Sequence, residues 1–173
     1  GTGQEFGFVL RQQHFHKCVV LLVQHDESFT KGIILNRPSK RMLDGWPLWC
    51  GGDVSEGGVF AERPQSASSP DVECMTARDF GEDDGCYPVV RGIKRCSFEA
   101  AKDLVDDGRA VPDDFWVFCG YCGWAPGQLA EELKRKSWRV LATSGSAVVD
   151  ELIQQRDAAR ETWCAPSTPS ISQ

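Results

Sequence analysis

Short apolar runs separated by polar turns make up the first half of the chain. Residues 17–23 and 31–35 are rich in β-branched side chains and are bounded by polar positions, which is typical of strands. The polar residues 25–28 predict a turn between them. Pro38 has no backbone N–H to give to a sheet, so we predict a second turn at residues 36–38. Residues 6–10 are a further strand candidate.

Glycines and aromatic residues mark the strands predicted further along. Residues 46–50 form an apolar run that ends at the pair Gly51-Gly52. Two glycines in succession indicate a tight turn or a backbone packed close to a neighbour. Residues 72–76 are a strand candidate, and Pro88 restricts a strand at 87–93 to a sheet edge. Residues 114–119 carry bulky side chains on both faces, which predicts a central, buried strand.

Helical signals lie mainly in the second half. Ser97 is a good N-cap for a helix that Gly108 would end. Pro126 opens a second predicted helix, over residues 126–136, and a third covers residues 147–160. Strands come first and then mix irregularly with helices, which favours an α+β fold over a regular α/β fold.

Composition bounds the size and class of the protein. The chain has 173 residues, of which 41% are hydrophobic and 25% charged, as in an ordinary globular protein. We expect one domain over residues 1–160 and a flexible Ser/Pro-rich tail over residues 161–173. No apolar run approaches the ~18 residues that a membrane span needs. No signal-peptide pattern opens the sequence, so a soluble, intracellular protein is expected.

The charge balance disfavours nucleic acid as a partner. The net charge is -6, whereas binding to phosphates needs an excess of Lys and Arg. A local basic patch stays open as an alternative, around Arg37, Lys40 and Arg41 or at residues 134–136. Such runs are more often solvated faces, so a nucleic-acid-associated regulator is a minor hypothesis.

Eight cysteines raise the question of redox or metal chemistry. Cys119 and Cys122 form the one Cys-x-x-Cys pair in the sequence. A reactive pair usually lies at a helix N-terminus, which lowers the thiol pKa, but residues 123–125 separate Cys122 from the predicted helix. A zinc site would need further ligands, such as His14, His16 and Cys18. We therefore expect mostly reduced thiols, no metal and no cofactor.

The residues typical of hydrolytic catalysis do not form a recognisable set. Ser144 lies between a strand candidate and a helix but lacks the Gly-x-Ser-x-Gly pattern. His25 is the main possible general base. Glu131 and Glu132 are adjacent on a helix and are predicted to face solvent. We assign no catalytic residue, and an enzyme that uses His25 or the cysteine pair remains an alternative.

The most distinctive stretch is residues 120–129. Glycines at 120, 123 and 127 permit sharp turns between a strand and a helix. Tyr121 and Trp124 would then fill the space beneath the turn. A structural role is favoured, and a binding surface that includes Gln128 is the alternative.

These residues resemble the AlgH/YqgE family, whose hallmark here is the Gly120–Trp124 motif followed by Gly127-Gln128-Leu129 and Trp138. Residues 19–25, residues 32–38 and the Gly51-Gly52 pair also match. The resemblance implies an α+β fold with an irregular, split β-sheet flanked by several helices. It brings no established activity, although the family name derives from a proposed role in regulating alginate production. Algal and plant members exist, so an algal or other eukaryotic origin, in cytoplasm or plastid, is expected.

The resemblance also indicates which positions are worth testing as a binding surface. They are His25, Asn36, Arg37, Gly51, Gly52, Tyr121, Trp124 and Gln128. The chain departs from the family pattern at Asp53, where a proline is common, and at Glu62, which takes the place of a histidine. We hypothesise a non-enzymatic binding or regulatory protein whose partner is a protein or a small ligand.

Overall fold

The computed structural model describes residues 15–55 and 71–164, with side chains up to residue 159. Within these ranges the chain forms two β-sheets and three α-helices, which confirms the α+β class. The strands are β1 (Val20–His25), β2 (Thr30–Ile34), β3 (Pro38–Leu43), β4 (Trp46–Cys50), β5 (Val72–Thr76), β6 (Tyr87–Val90), β7 (Ile93–Ser97), β8 (Phe115–Cys119) and β9 (Cys122–Trp124). The helices are α1 (Phe98–Asp106), α2 (Gln128–Lys134) and α3 (Gly145–Cys164).

The smaller sheet contains three antiparallel strands in the order β1-β2-β9. Asp26 closes the β1–β2 turn by accepting hydrogen bonds from the backbone N–H groups of Ser28 and Phe29. This is the polar turn expected from the sequence, formed in the way that Asx residues usually form one.

The larger sheet contains six strands in the order β3-β4-β8-β5-β7-β6. Strands β4 and β8 are parallel, and the other described pairs are antiparallel. Strand β8 lies inside the sheet and is buried on both faces, as its bulky sequence predicts. Strand β6 lies at the edge, where the missing N–H of Pro88 costs no ladder bond.

Two hydrophobic layers cover the faces of the larger sheet. Helix α1 packs on one face through Phe98, Ala101 and Leu104. Its N-cap is Ser97, whose hydroxyl accepts from the N–H of Ala100, as predicted. The opposite face packs against β2 of the smaller sheet and against α3, which contributes Leu152 and neighbouring apolar residues. The two sheets therefore share one core layer.

Several boundaries differ from the sequence predictions. Pro38 begins strand β3 instead of ending the extended segment, because it lies on an edge strand. Asp44-Gly45, both with positive φ, form a hairpin turn that the sequence analysis overlooked. The strand predicted at 87–93 is two strands joined at Arg91-Gly92. Helix α2 begins at Gln128, two residues after Pro126. The strand candidate at 6–10 lies outside the described residues, as does most of the predicted tail.

Candidate functional site

The two sheets meet where residues 51–52 cross residues 120–121. We call Gly51, Gly52 and Gly120 the glycine crossing. A Cβ atom on Gly51 would lie 2.3 Å from the carbonyl oxygen of Gly120, and one on Gly52 would lie 2.0 Å from the carbonyl carbon of Tyr121. Gly120 adopts a positive φ of 79°. Since backbone atoms fill the space that a side chain would need, these positions require glycine.

Trp124 and Gln128 are joined by one carboxylate. The indole N–H groups of Trp124 and Trp138 both donate to Oε2 of Glu132, at 3.0 and 2.7 Å. The side-chain amide of Gln128 donates to Oε1 of Glu132 at 3.1 Å. The prediction that Glu132 faces solvent is therefore wrong: it is half-buried and bound to three donors, whereas Glu131 is exposed.

Asn36 and Arg37 bind the segment that precedes β1. The Asn36 side chain accepts from the N–H of Val19 at 2.9 Å and donates to the carbonyl of Lys17 at 2.8 Å. The Arg37 guanidinium donates to the carbonyl of His16 at 3.0 Å. Both contacts hold the chain entering the smaller sheet.

His25 is exposed at the end of β1. Its Nδ1 atom lies 2.7 Å from Oγ1 of Thr30, its register neighbour on β2. The nearby Asp26 is a poor proton acceptor, because hydrogen bonds from Gln24 and Ser28 hold the pKa of its carboxyl below the usual range. Within the described ranges, the side-chain contact of His25 is this one to the Thr30 hydroxyl.

Tyr121 lies beside a half-buried group of charged residues. Nζ of Lys31 is 2.5 Å from Oε1 of Glu73 and 4.8 Å from the centre of the Tyr121 ring. Arg95 contacts the same Glu73 oxygen at 3.5 Å. The side chains of Lys31, Glu73 and Arg95 are 14%, 17% and 33% exposed. We call these three residues, with Tyr121, the Lys31 cluster.

One oxygen of the Lys31 cluster has unused bonding capacity. Oε2 of Glu73 is buried and has no hydrogen-bond partner within the described structure. A buried polar atom without a partner costs about 1–3 kcal/mol. The cluster also holds two cations for one carboxylate. It can therefore accept both a hydrogen-bond donor, at Glu73, and an anionic group, at the two cations.

Lys31, Glu73 and Arg95 are not among the site residues predicted from the sequence. They lie on β2, β5 and β7, far apart along the chain. Pairing of β5 with β7 brings Glu73 near Arg95, and Lys31 joins them when the two sheets pack. The available signal was a charged residue inside an otherwise apolar strand, as with Glu73 between Val72 and Cys74. Such a residue faces either solvent or a buried partner, and periodicity does not say which.

The two cysteines of the Cys-x-x-Cys pair belong to different sheets. Cys119 ends β8 of the larger sheet, and its register partner is Cys50 on β4. Cys122 is buried in β9, where it packs with Ile34 and Trp124. Burial raises the pKa of the Cys119 thiol to about 11. Neither thiol lies at the start of a described α-helix.

The predicted site residues fall into separate groups. Gly51, Gly52 and Tyr121 lie together at the glycine crossing. Trp124 and Gln128 meet at Glu132, whereas Asn36 and Arg37 hold the segment before β1 and His25 is exposed at the opposite end of that strand.

Two further searches covered the described residues alone. No group of three or more His, Cys, Asp or Glu side chains there has the arrangement of a metal site. None of the helices in the same ranges is long and apolar enough to cross a membrane.

Known proteins resemble this chain in sequence and in fold. A UPF0301 protein of Streptomyces avermitilis is 33% identical over 178 residues, covering 94% of this chain and 90% of that protein. One from Rhodococcus opacus is 29% identical, covering 78% of this chain and 67% of that protein. The solution structure of AlgH from Pseudomonas aeruginosa matches with a TM-score of 0.59 at 18% identity, covering 88% of this chain and 82% of that one.

The family assignment follows from the sequence matches, while the solved structure supports the fold. The names of the relatives given above state no enzymatic activity, and these relatives are bacterial. A family model described as AlgH-like (DUF179) matches residues 8–163. The chain therefore belongs to the AlgH-like family.

Proposed function

We propose that this protein is a non-enzymatic binding or regulatory protein, and that the Lys31 cluster is its ligand site. The supporting observation is the buried Oε2 atom of Glu73, which has no partner although two cations lie beside the same carboxylate. The large majority of buried polar side-chain atoms have a hydrogen-bond partner, so this oxygen marks a position that a ligand donor can fill.

The chemistry of the cluster favours a small anion that also carries a hydroxyl or amine. The hydroxyl or amine would donate to Oε2 of Glu73. The anionic group would bind Arg95, the most exposed of the three charged side chains. The Tyr121 ring, half-buried against Lys31 and Phe29, would form an apolar wall.

Other predicted residues take supporting roles in this proposal. Trp124, Gln128 and Asn36 already hold internal hydrogen bonds, so we assign them to folding. Nucleic acid remains disfavoured because the net charge is -6. Algal or other eukaryotic origin, and location in the cytoplasm or a plastid, stay predictions, as do the domain limits.

An NMR titration tests the ligand site. Glycerol 3-phosphate, malate and inorganic phosphate are added to the 15N-labelled protein, and the amide shifts of Lys31, Glu73, Arg95 and Tyr121 are followed. We expect saturable shifts with a hydroxylated anion. Arg95→Gln should weaken binding about 10-fold or more, since a charged hydrogen bond contributes about 1.5–3 kcal/mol.

Lys102→Gln is the matched control for that titration. It removes the same charge from an exposed pair with Asp44, away from the Lys31 cluster. The affinity of this variant should equal that of the wild type. Absence of saturable shifts with all three probes, or equal weakening by both variants, would contradict the proposed site.

A further inference from the structure

A second pair of residues, independent of the Lys31 cluster, carries its own chemistry. Cys50 and Cys119 are register partners on the parallel strands β4 and β8. Neighbouring strands lie about 4.8 Å apart, and partner side chains project from the same face of the sheet. This spacing falls within the Cα separation of about 4.4–6.8 Å that a disulfide spans.

Both thiols are half-buried, in contrast to another cysteine pair of the same sheet. Cys74 and Cys96 are register partners on β5 and β7, but they are only 0% and 5% exposed. The pKa of Cys96 is raised far above its usual value, chiefly by its contact with Cys74 and by burial. Among the described residues, the pair Cys74 and Cys96 is therefore buried, whereas Cys50 and Cys119 are each partly exposed.

The surroundings of Cys50 contain further groups relevant to its reactivity. Burial raises the pKa of the Cys50 thiol, while the nearby guanidinium of Arg37 opposes that effect. The guanidinium itself lies 3.4 Å from the sulfur of Cys18. Because burial raises both pKa values, only a small fraction of Cys50 and Cys119 is thiolate at neutral pH, which slows exchange with a disulfide without preventing it.

We propose that Cys50 and Cys119 form a reversible disulfide with glutathione disulfide as the oxidant. One protein thiol loses its proton to solvent, and its thiolate attacks a sulfur of glutathione disulfide, which releases one glutathione thiolate. The second protein thiolate then attacks the protein sulfur of this mixed disulfide and releases the second glutathione. Two protein thiols are oxidised by two electrons, and one glutathione disulfide becomes two glutathione molecules.

The bond would fix the place where the two sheets meet. Cys50 and Cys119 immediately precede Gly51 and Gly120 of the glycine crossing, and the N–H of Gly51 donates to the carbonyl of Cys119 at 2.7 Å. A covalent link here would close a loop of about 70 residues in the unfolded chain. The oxidised protein should melt about 5–10 °C higher than the reduced protein.

Alkylation in glutathione buffers tests this proposal on the full chain. The protein is equilibrated at a series of glutathione disulfide to glutathione ratios, quenched with acid, alkylated in denaturant, digested and analysed by mass spectrometry. We expect a Cys50–Cys119 cross-linked peptide whose fraction depends on the ratio and is the same when approached from either side. Cys74 and Cys96 should remain alkylated as separate thiols.

Two serine variants separate this pair from the Cys-x-x-Cys pair. Cys50→Ser should abolish the cross-link, and Cys122→Ser should leave it unchanged. Full alkylation of both wild-type thiols in the most oxidising buffer would overturn the proposal. A cross-link of Cys119 to Cys122, or a glutathione adduct that never closes to a disulfide, would overturn it equally, and none of these results depends on how a variant folds.

Discussion

Two lysine–carboxylate clusters differ in how completely their carboxylate oxygens are bound. In the Lys94 cluster, Nζ of Lys94 contacts Asp79 at 2.8 Å and Asp84 at 2.9 Å. The other oxygen of Asp84 accepts from the N–H of Cys86. In the Lys31 cluster, by contrast, both cations contact one oxygen of Glu73 and the other has no partner.

In the Lys94 cluster both oxygens of Asp84 have hydrogen-bond partners, whereas in the Lys31 cluster one oxygen of Glu73 has none. Lys94, Asp79 and Asp84 lie on β7 and in the loop before β6, so local structure brings them together. Lys31 and Glu73 lie on different sheets, so their contact depends on how the sheets pack. We infer that the Lys94 cluster stabilises the fold, whereas the Lys31 cluster retains capacity for a ligand.

The largest expected effect is at the glycine crossing, which positions Lys31 relative to Glu73. Gly52→Ala would place a Cβ atom 2.0 Å from the carbonyl carbon of Tyr121. We expect the free energy of unfolding to fall by about 3 kcal/mol or more, because backbone must move. Chemical denaturation followed by circular dichroism measures this change.

Gly127→Ala is the control for the glycine crossing. Gly127 also has a positive φ, of 77°, but an added Cβ atom would meet nothing within 4 Å. The free energy of unfolding of this variant should fall by about 1 kcal/mol, which is the cost of placing alanine in a left-handed conformation. Equal losses in the two variants would show that close packing at the crossing contributes little.

Glu132 provides a second test of what a fully bound carboxylate contributes. Glu132→Ala removes the acceptor of Trp124, Trp138 and Gln128. We expect the free energy of unfolding to fall by about 2–3 kcal/mol, since the two indole N–H groups lose their hydrogen-bond acceptor. Glu131→Ala, on the exposed side of the same helix, should change stability by less than about 0.5 kcal/mol. A near-neutral Glu132→Ala variant would contradict the structural role of this carboxylate.

The smallest of the three effects is expected in the Lys94 cluster. Asp84→Asn should lower the free energy of unfolding by about 1–2 kcal/mol at pH 7, because a neutral amide replaces the buried carboxylate that binds Lys94. Burial alone would raise the pKa of Asp84, but Lys94 and the N–H of Cys86 outweigh it and hold the pKa below its usual value.

The sign of the pH dependence follows from that lowered pKa. The contribution of Asp84 is fully present above the pKa of the unfolded chain, about 3.9, and is lost as the pH falls through the lower folded value. The stability gap between wild type and Asp84→Asn should therefore close below about pH 4. Asp83→Asn, at an exposed neighbour, should not differ from the wild type in this pH-dependent way. If the difference in stability between wild type and Asp84→Asn is the same at every pH, the charge of Asp84 is not its cause.

The fold could be predicted where local sequence decides the structure. The strands around Leu21, Ile33 and Val117 and the N-cap at Ser97 follow from periodicity and capping rules. The position of Pro38 is not decided locally: a proline fits a strand only at a sheet edge, and the local sequence does not show which strands are at the edge. The Asp44-Gly45 turn, by contrast, has a local signal, because Asp-Gly between two extended segments is typical of a tight hairpin.

The candidate site was less predictable because it depends on contacts between distant strands. The motif containing Tyr121 marked one wall of the Lys31 cluster, but nothing near it in sequence indicates Glu73 or Arg95. Likewise, Cys119 drew attention to Cys122, three residues away, whereas its register partner is Cys50. Pairing across a sheet brings together residues that a motif search treats separately.

The parallel pairing of β4 with β8 also sets the order of events during synthesis. Strand β4, with Trp46 and Leu48, pairs with the preceding β3, but its second partner, β8, lies about 70 residues further along the chain. At about 5–20 residues per second, this delay lasts several seconds. Strand β9, the second partner of β2, emerges immediately after β8. The appearance of residues 115–124 from the ribosome is thus the step at which both sheets can close, and until then β2 and β4 each lack a partner strand.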